Sequence, residues 1–351
     1  MVDTPAGGAN NDFPGRGAGA PQRSFRNGKL ERGWATMDKK IAVVAFGGNA
    51  IMRSGEEGHQ DEQLRHADEA CDLMVEFIER GYELMVVHGN GPQVGNILIQ
   101  MEEAANRVPP SSLDVGVAMT QGSMGYMLEN ALLNGLRKRG IEKDVVVIIS
   151  QVVVDRDDPL MKHPTKPIGP FYTYYRAKQL IDSNGWQMIE DSGRGWRKVV
   201  PSPKPKQILA EKAIRRMLEG GAVVIAGGGG GIPVYIGKDC DVVGIEAVID
   251  KDYTASLLAR AVEADLFVIL TETDMVYYDF FTPEAKPLPL LTASEARRHL
   301  EEGQFPPGSM GPKIDASIDF IESGGKEVLI TSDGVLRQAL EGEAGTRIVP
   351  D

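Results

Sequence analysis

The chain is short of positive charge: its 351 residues hold 38 Lys and Arg against 50 Asp and Glu, a formal net charge of −12. That balance argues against a broad nucleic-acid or anionic-membrane surface, because both need a cationic face. Any anionic ligand must be held by a local arrangement instead. Only two cysteines occur, Cys71 and Cys240, and neither lies at metal spacing from Cys or His, so a disulfide framework and a zinc site are both disfavoured. A reducing compartment, the cytoplasm, is expected. No apolar run approaches the roughly 18 to 20 residues needed to cross a bilayer; stretches such as Val145 to Ile149 are strand-sized. The common nucleotide signatures are missing as well. No Gly-Lys-Ser/Thr closes a glycine turn, and no Gly-x-Gly-x-x-Gly stands ahead of a ribose-binding acid, which disfavours an ordinary P-loop or dinucleotide fold.

What is present is a hydrophobic content of 42% in a chain long enough for one large α/β domain. Residues 1–36 are rich in Gly, Pro, Asn and Arg without apolar periodicity, and a disordered extension is expected there. The same segment is compatible with a transit peptide, on Arg16, Arg23, Arg26 and Arg32, or with a leader upstream of a start at Met37. From Lys39 strands and helices alternate. Ile41 to Phe46 is a continuous apolar run ending in Gly47-Gly48-Asn49. Leu64, Ala67, Cys71, Met74, Val75 and Ile78 then fall at helical spacing before Gly81. Glu83 to Val87 leads into His88-Gly89-Asn90-Gly91-Pro92 and a second helix, with Pro92 suited to a first turn. Further strands are expected at Val145 to Val154, Ala222 to Ala226, Leu266 to Leu270 and Glu327 to Thr331. Thr292 to Glu295 reads as a capping box, and Ile314, Ile318 and Ile321 mark a late helix. Parallel strands with helical crossovers follow from this order. Pro159 to Pro205, rich in proline, glycine and aromatics, suits a protruding subdomain or lid.

Three glycine-rich turns follow expected strands: Gly47-Gly48-Asn49, Gly89-Asn90-Gly91 and Gly227 to Gly231. One such turn is explained by chain reversal alone. Three at the carboxyl edge of one parallel sheet aim backbone N–H groups at an anion. Lys166, Lys251 and Lys313 each sit on a tight turn near glycine, proline or aspartate, and fixed ammonium groups are what a moving phosphoryl group needs. Lys251 lies between Asp250 and Asp252, with apolar residues on both sides, at the mouth of an expected helix. A carboxylate there orients lysines; it is not needed as a base.

The motifs Gly47-Gly48-Asn49-Ala50, His88 to Gly95, Pro164 to Phe171 (PTKPIGPF), Gly228 to Val234 (GGGGIPV), Val248 to Asp252 (VIDKD) and Gly308 to Lys313 (GSMGPK) occur in order. In these six, from about Lys39 to Ile348, the chain resembles the carbamate kinases of the amino acid kinase superfamily. The resemblance implies a three-layer α/β/α sandwich with a mainly parallel open sheet, domain limits of 37–351 and a lid at about 159–205. It further implies a homodimer that uses ATP/ADP with Mg2+ and exchanges carbamate with carbamoyl phosphate. Carried onto this chain, Lys166, Lys251 and Lys313 would neutralise the phosphoryl group and Asp252 would hold the lysines. Gly47, Gly48 and Asn49 would bind the phosphate, and Gly89, Asn90 and Gly91 would border the carbamate. Gly228, Gly229, Asp274, Tyr277 and Met310 would serve the nucleotide. No metal ligand is assigned. Two alternatives stay open: an amino acid kinase for a larger carboxylate, which needs a further polar pocket, and a silent nucleotide-binding sensor, whose mark would be a lost lysine. His88 is expected to be a packed strand-end histidine, and Trp186 and Trp196 a small core within the lid.

Overall fold

The strand Lys40–Phe46 is buried from Ala42 onward and lies inside the main sheet of the computed structural model, which describes residues 39–53, 56–191 and 193–351. The expectations for residues 1–36 fall outside the described residues. The sheet has eight strands in the order Leu290–Thr292, Thr346–Val349, Val328–Thr331, Leu266–Leu270, Lys40–Phe46, Tyr82–His88, Val223–Ile225, Val145–Val147. All neighbours run parallel except Val328–Thr331 against Thr346–Val349. Successive side chains on a strand point to opposite faces, and here they feed two separate cores. Val43 and Ala45 pack with Leu258, Ile314 and Ile318, whereas Ala42, Val44 and Phe46 pack with Cys71, Met74 and Leu128. Helices Lys251–Ala261, Ala293–Glu301 and Met310–Glu322 therefore cover one face, and Gln60–Glu79, Leu113–Lys138 and Leu336–Glu341 the other. The result is the three-layer α/β/α sandwich with a mainly parallel sheet.

Local signals operate where they were expected. Gly81, with φ +87°, follows the helix Gln60–Glu79 and its C-cap Arg80. Pro92 stands in the first turn of Gly91–Ala104, and Thr292 with Glu295 completes a capping box. Two elements differ. The single strand expected over Val145 to Val154 is two, Val145–Val147 in the main sheet and Gln151–Val154 in a separate four-stranded one. Ser150 breaks it, because its N–H donates to Gln121 Oε1 and its Oγ to the Ile148 carbonyl, which takes the chain out of the ladder. The 26-residue helix Leu113–Lys138 was not foreseen. It contains Gly116, Gly122, Gly125 and Gly135, and a Cβ on Gly125 would stand 2.5 Å from Val147 Cγ1, so glycine there admits the neighbouring strand.

Residues 159–205 hold a three-stranded antiparallel sheet of Lys166–Tyr172, Trp196–Val200 and Met188–Glu190, with the helix Tyr174–Asn184. Ala177, Leu180 and Met188 form its core, against which Trp186 and Trp196 pack. A Cβ on Gly95 would lie 2.7 Å from Gly169 Cα, so the helix Gly91–Ala104 and the strand Lys166–Tyr172 meet backbone to backbone.

Candidate active site

Parallel strands place the turns that follow them at one edge of the sheet. After Lys40–Phe46, Tyr82–His88 and Leu266–Leu270 the chain lines a single cleft of about 570 Å³ with residues 46–50, 89–92 and 270–272. Residues 166–168, 248–252, Gly229, Gly308, Ser309, Lys313 and Asp333 complete most of its wall. The first two turns interlock. Gly89 N–H donates to the Phe46 carbonyl at 2.7 Å, and a Cβ on Gly89 would come within 2.9 Å of Gly48 N and 3.2 Å of Lys251 Cδ. Only glycine lets the two turns and the lysine stem share this corner.

The three lysines come from separate elements. Lys166 opens a strand of the 159–205 subdomain, Lys251 begins the helix Lys251–Ala261, and Lys313 lies in the first turn of Met310–Glu322. Two carboxylates tie them together. Lys251 Nζ donates to Asp252 Oδ1 at 2.6 Å and Lys313 Nζ to Asp252 Oδ2 at 2.8 Å. Asp250 caps the same helix, its Oδ1 accepting from Asp252 N–H at 3.1 Å and its Oδ2 from Lys166 Nζ at 2.6 Å. Three ammonium groups against two carboxylates leave this cluster with one net positive charge, 3 − 2, and Arg53, Glu272 and Asp333 are the other charged residues of the wall.

Electrostatics follow from that packing. Burial alone would raise the carboxyl of Asp252, but the ammonium groups of Lys251 and Lys313 outweigh it and hold Asp252 far below the usual carboxylate range. Asp250 is lowered in the same way, with Lys166 as its chief attractive partner against burial. The two lysines on Asp252 diverge. Burial, with Lys313 beside it, lowers Lys251; for Lys313, attraction to Asp252 overcomes burial and raises it. His88 is buried, its Nδ1 stands 3.0 Å from the Gly89 carbonyl, and burial pushes it down to about 4. It is a neutral packed imidazole, as its place at a strand end suggested.

Of the residues singled out from sequence, Gly47, Gly48, Asn49, Gly89, Asn90, Gly91, Lys166, Lys251, Asp252, Lys313 and Gly229 line the cleft. Gly228 lies behind it, against the His88 ring. Asp274, Tyr277 and Met310 are also outside the lining. Asp274 accepts from Ser332 Oγ at 2.6 Å, Tyr277 packs on Phe280, and Met310 directly follows Ser309. Sequence reasoning missed Arg53, Thr271, Glu272 and Asp333, all in the wall. Thr271 and Glu272 directly follow the strand Leu266–Leu270 and lie just ahead of Asp274, which is the one signal that could have found them; Asp333 opens a short 3-10 turn, and Arg53 carries no motif. Asp250 had a readable signal, since Asp immediately before an apolar helical pattern is an N-cap.

Among the described residues no group of three or more His, Cys, Asp or Glu could hold a metal ion. Asp250 and Asp252 are already committed to lysines. Glu272 and Asp333 are the other carboxylates of the wall.

The model of the amino acid kinase family matches residues 40–332. A carbamate kinase of Pyrococcus furiosus is 46% identical over 316 residues, covering 90% of this chain and 100% of that protein. Carbamate kinase 2 of Enterococcus faecalis is 44% identical over 88% of this chain and 98% of its own length. Among solved structures, carbamate kinase from Giardia lamblia bound to AMP-PNP superposes with a TM-score of 0.82 at 38% identity, covering 89% of this chain and 99% of that one. With the lysine cluster and its cleft in place, the chain belongs to the amino acid kinase family, and within it to the carbamate kinases.

Proposed function

We propose that the protein catalyses reversible phosphoryl transfer between carbamoyl phosphate with ADP and carbamate with ATP. The observation that carries this is the sharing of Asp252 by Lys251 and Lys313 in the cleft that Lys166 also enters. Phosphoryl transfer asks little covalent chemistry of a protein; it asks for charge neutralised on the moving oxygens and for reactants held in line. Lys166, Lys251 and Lys313 supply the charge. Asp250 and Asp252 hold the ammonium groups in place, and backbone N–H groups at Gly48 and Asn49 point at the phosphoryl group. Gly89 and Asn90 border the small acid. The nucleotide occupies the end of the cleft at Thr271, Glu272 and Ser309, extending towards Asp274, Tyr277 and Met310. Mg2+, entering with the nucleotide, would neutralise part of the phosphate charge. Carbamate is already an anion, so the neutral His88 has no proton to remove.

Residues 159–205 act as a lid that brings Lys166 to the substrates, which its bond to Asp250 across 84 positions supports. A homodimer is supported by an exposed stripe on the helix Leu113–Lys138, where Val115, Met119 and Tyr126 stand open beside Ile149 and the edge strand Val145–Val147. Light scattering on the purified protein checks this, with twice the chain mass expected and a monomer contradicting it. For the activity itself, purified protein with ADP, Mg2+ and carbamoyl phosphate should form ATP, read by luciferase. No ATP above the enzyme-free rate would overturn the proposal.

A further inference from the structure

Behind the cleft, on the helix Leu113–Lys138, lies a buried threonine that the reaction chemistry does not use. Thr120 is fully buried and Asn90 nearly so. Asn90 Nδ2 donates to Thr120 Oγ1 at 2.8 Å, and Thr120 Oγ1 in turn donates to the Val117 carbonyl at 2.6 Å. A hydroxyl has one proton. With that proton committed to Val117, Thr120 can only accept from Asn90, so the side-chain amide must turn its NH2 inward. The opposite orientation would press two acceptors together. Gly229 packs against the same amide, since a Cβ there would stand 2.3 Å from Asn90 Nδ2, and this closeness blocks the side chain from swinging aside. Asn90 Oδ1 makes no hydrogen bond among the described residues and is not fully enclosed. Asn90 lines the cleft, so its free acceptor opens there.

We infer that Thr120 is a positioning residue that fixes the Asn90 amide so that Oδ1 accepts a hydrogen bond from the N–H of carbamate or carbamoyl phosphate. The inference rests on the activity proposed above and deepens it. Both substrates keep the same NH2 group, so one acceptor serves both directions of the reaction. Acetyl phosphate presents a methyl of similar size and no donor, and it would leave Oδ1 unpaired. A site with a fixed polar partner discriminates strongly against an analogue that cannot bond to it.

The test compares kcat/KM for carbamoyl phosphate and acetyl phosphate, with ADP and Mg2+, in the wild-type protein, Thr120→Val and Thr120→Ser, with melting curves on the same samples. The wild type should favour carbamoyl phosphate by at least roughly 10-fold. Thr120→Val should shrink that preference by about 10-fold or more, because it removes the acceptor that holds Nδ2. Thr120→Ser, which keeps the hydroxyl, should restore it. A merely structural role would lower both substrates together and leave the ratio alone. Parity between the substrates in the wild type overturns the inference even if the valine variant fails to fold. An unchanged ratio in Thr120→Val, or a serine variant that behaves like valine, overturns it too. A wild type that forms no ATP from carbamoyl phosphate overturns the activity first, and the inference with it.

Discussion

Replacing Asp252 with asparagine separates the positioning of the lysines from the charge they provide. Asp252 is 2% exposed and accepts from two ammonium groups, at 2.6 and 2.8 Å. An amide of the same shape keeps one acceptor oxygen and turns a donor toward the other lysine, so one charge-assisted bond is lost and the second weakened. At about 1.5 to 3 kcal/mol for a hydrogen bond to a charged group, the combined loss is about 3 kcal/mol. If it falls on the transition state, kcat drops by roughly 10²-fold. The cleft's net charge rises by one at the same time, so the KM for carbamoyl phosphate should change much less than kcat. Lys251, already lowered by burial and by Lys313, loses its chief attractive partner and is lowered further. Activity that needs its ammonium form should therefore fail at lower pH in the variant than in the wild type as pH rises. Steady-state kinetics across pH, with melting curves on the same samples, check all three points. A kcat within about threefold of wild type would refute the positioning role, taking the loss of one preorganised contact at roughly 10²-fold. Matched loss of activity and folded structure would show that Asp252 is structural.

Lys313→Ala should lower kcat by roughly 10²- to 10³-fold, the usual cost of deleting one preorganised charge contact, and an unchanged rate would place the lysine outside the chemistry. His88 titrates at about 4 in the folded protein against an ordinary 6.5. The unfolded chain thus takes up this proton first as pH falls, and stability is lost between about 6.5 and 4, by about 3 kcal/mol in full. Melting curves of His88→Asn should lose less stability over that interval than the wild type; parallel curves would count against a buried neutral imidazole. Gly95→Ala places a Cβ against the Gly169 backbone, and the helix and lid strand must part at a cost of about 1 to 3 kcal/mol. Since Lys166 rides on that strand, kcat should fall with the melting temperature, and full activity in this variant would break the link between the subdomain and the site.

Much of the sheet was legible because apolar runs such as Ile41 to Phe46 end at glycine turns, and a buried parallel strand and a tight reversal need those residue types. The helix Leu113–Lys138 was hidden by its glycines, which disfavour helix locally and are explained only by what presses on them, as Val147 does on Gly125. The split of Val145 to Val154 was equally hidden, since Ser150 leaves the ladder for Gln121, a partner 29 positions away. In the site, the lysines stood out beside glycine, proline or aspartate, but not on the tight turns expected: Lys166 opens a strand, and Lys251 and Lys313 lie in the first turns of two helices. The division of labour between the carboxylates did not stand out, because which of Asp250 and Asp252 takes Lys166 and which takes Lys313 is fixed by contacts over 84 and 61 positions. The thread from Asn90 to Thr120 was invisible for the same reason. Asp274, Tyr277 and Met310 could be named from motif but not placed in the wall, because a motif fixes neighbours along the chain and not the reach of a cleft.

The most direct measurement is a crystal structure with Mg2+, ADP and a planar aluminium fluoride mimic of the phosphoryl group. The ammonium nitrogens of Lys166, Lys251 and Lys313 should all lie about 3 Å from the mimic, the distance of a charge-assisted bond. A mimic bound in the cleft with Lys251 and Lys313 both turned away from it would contradict the account.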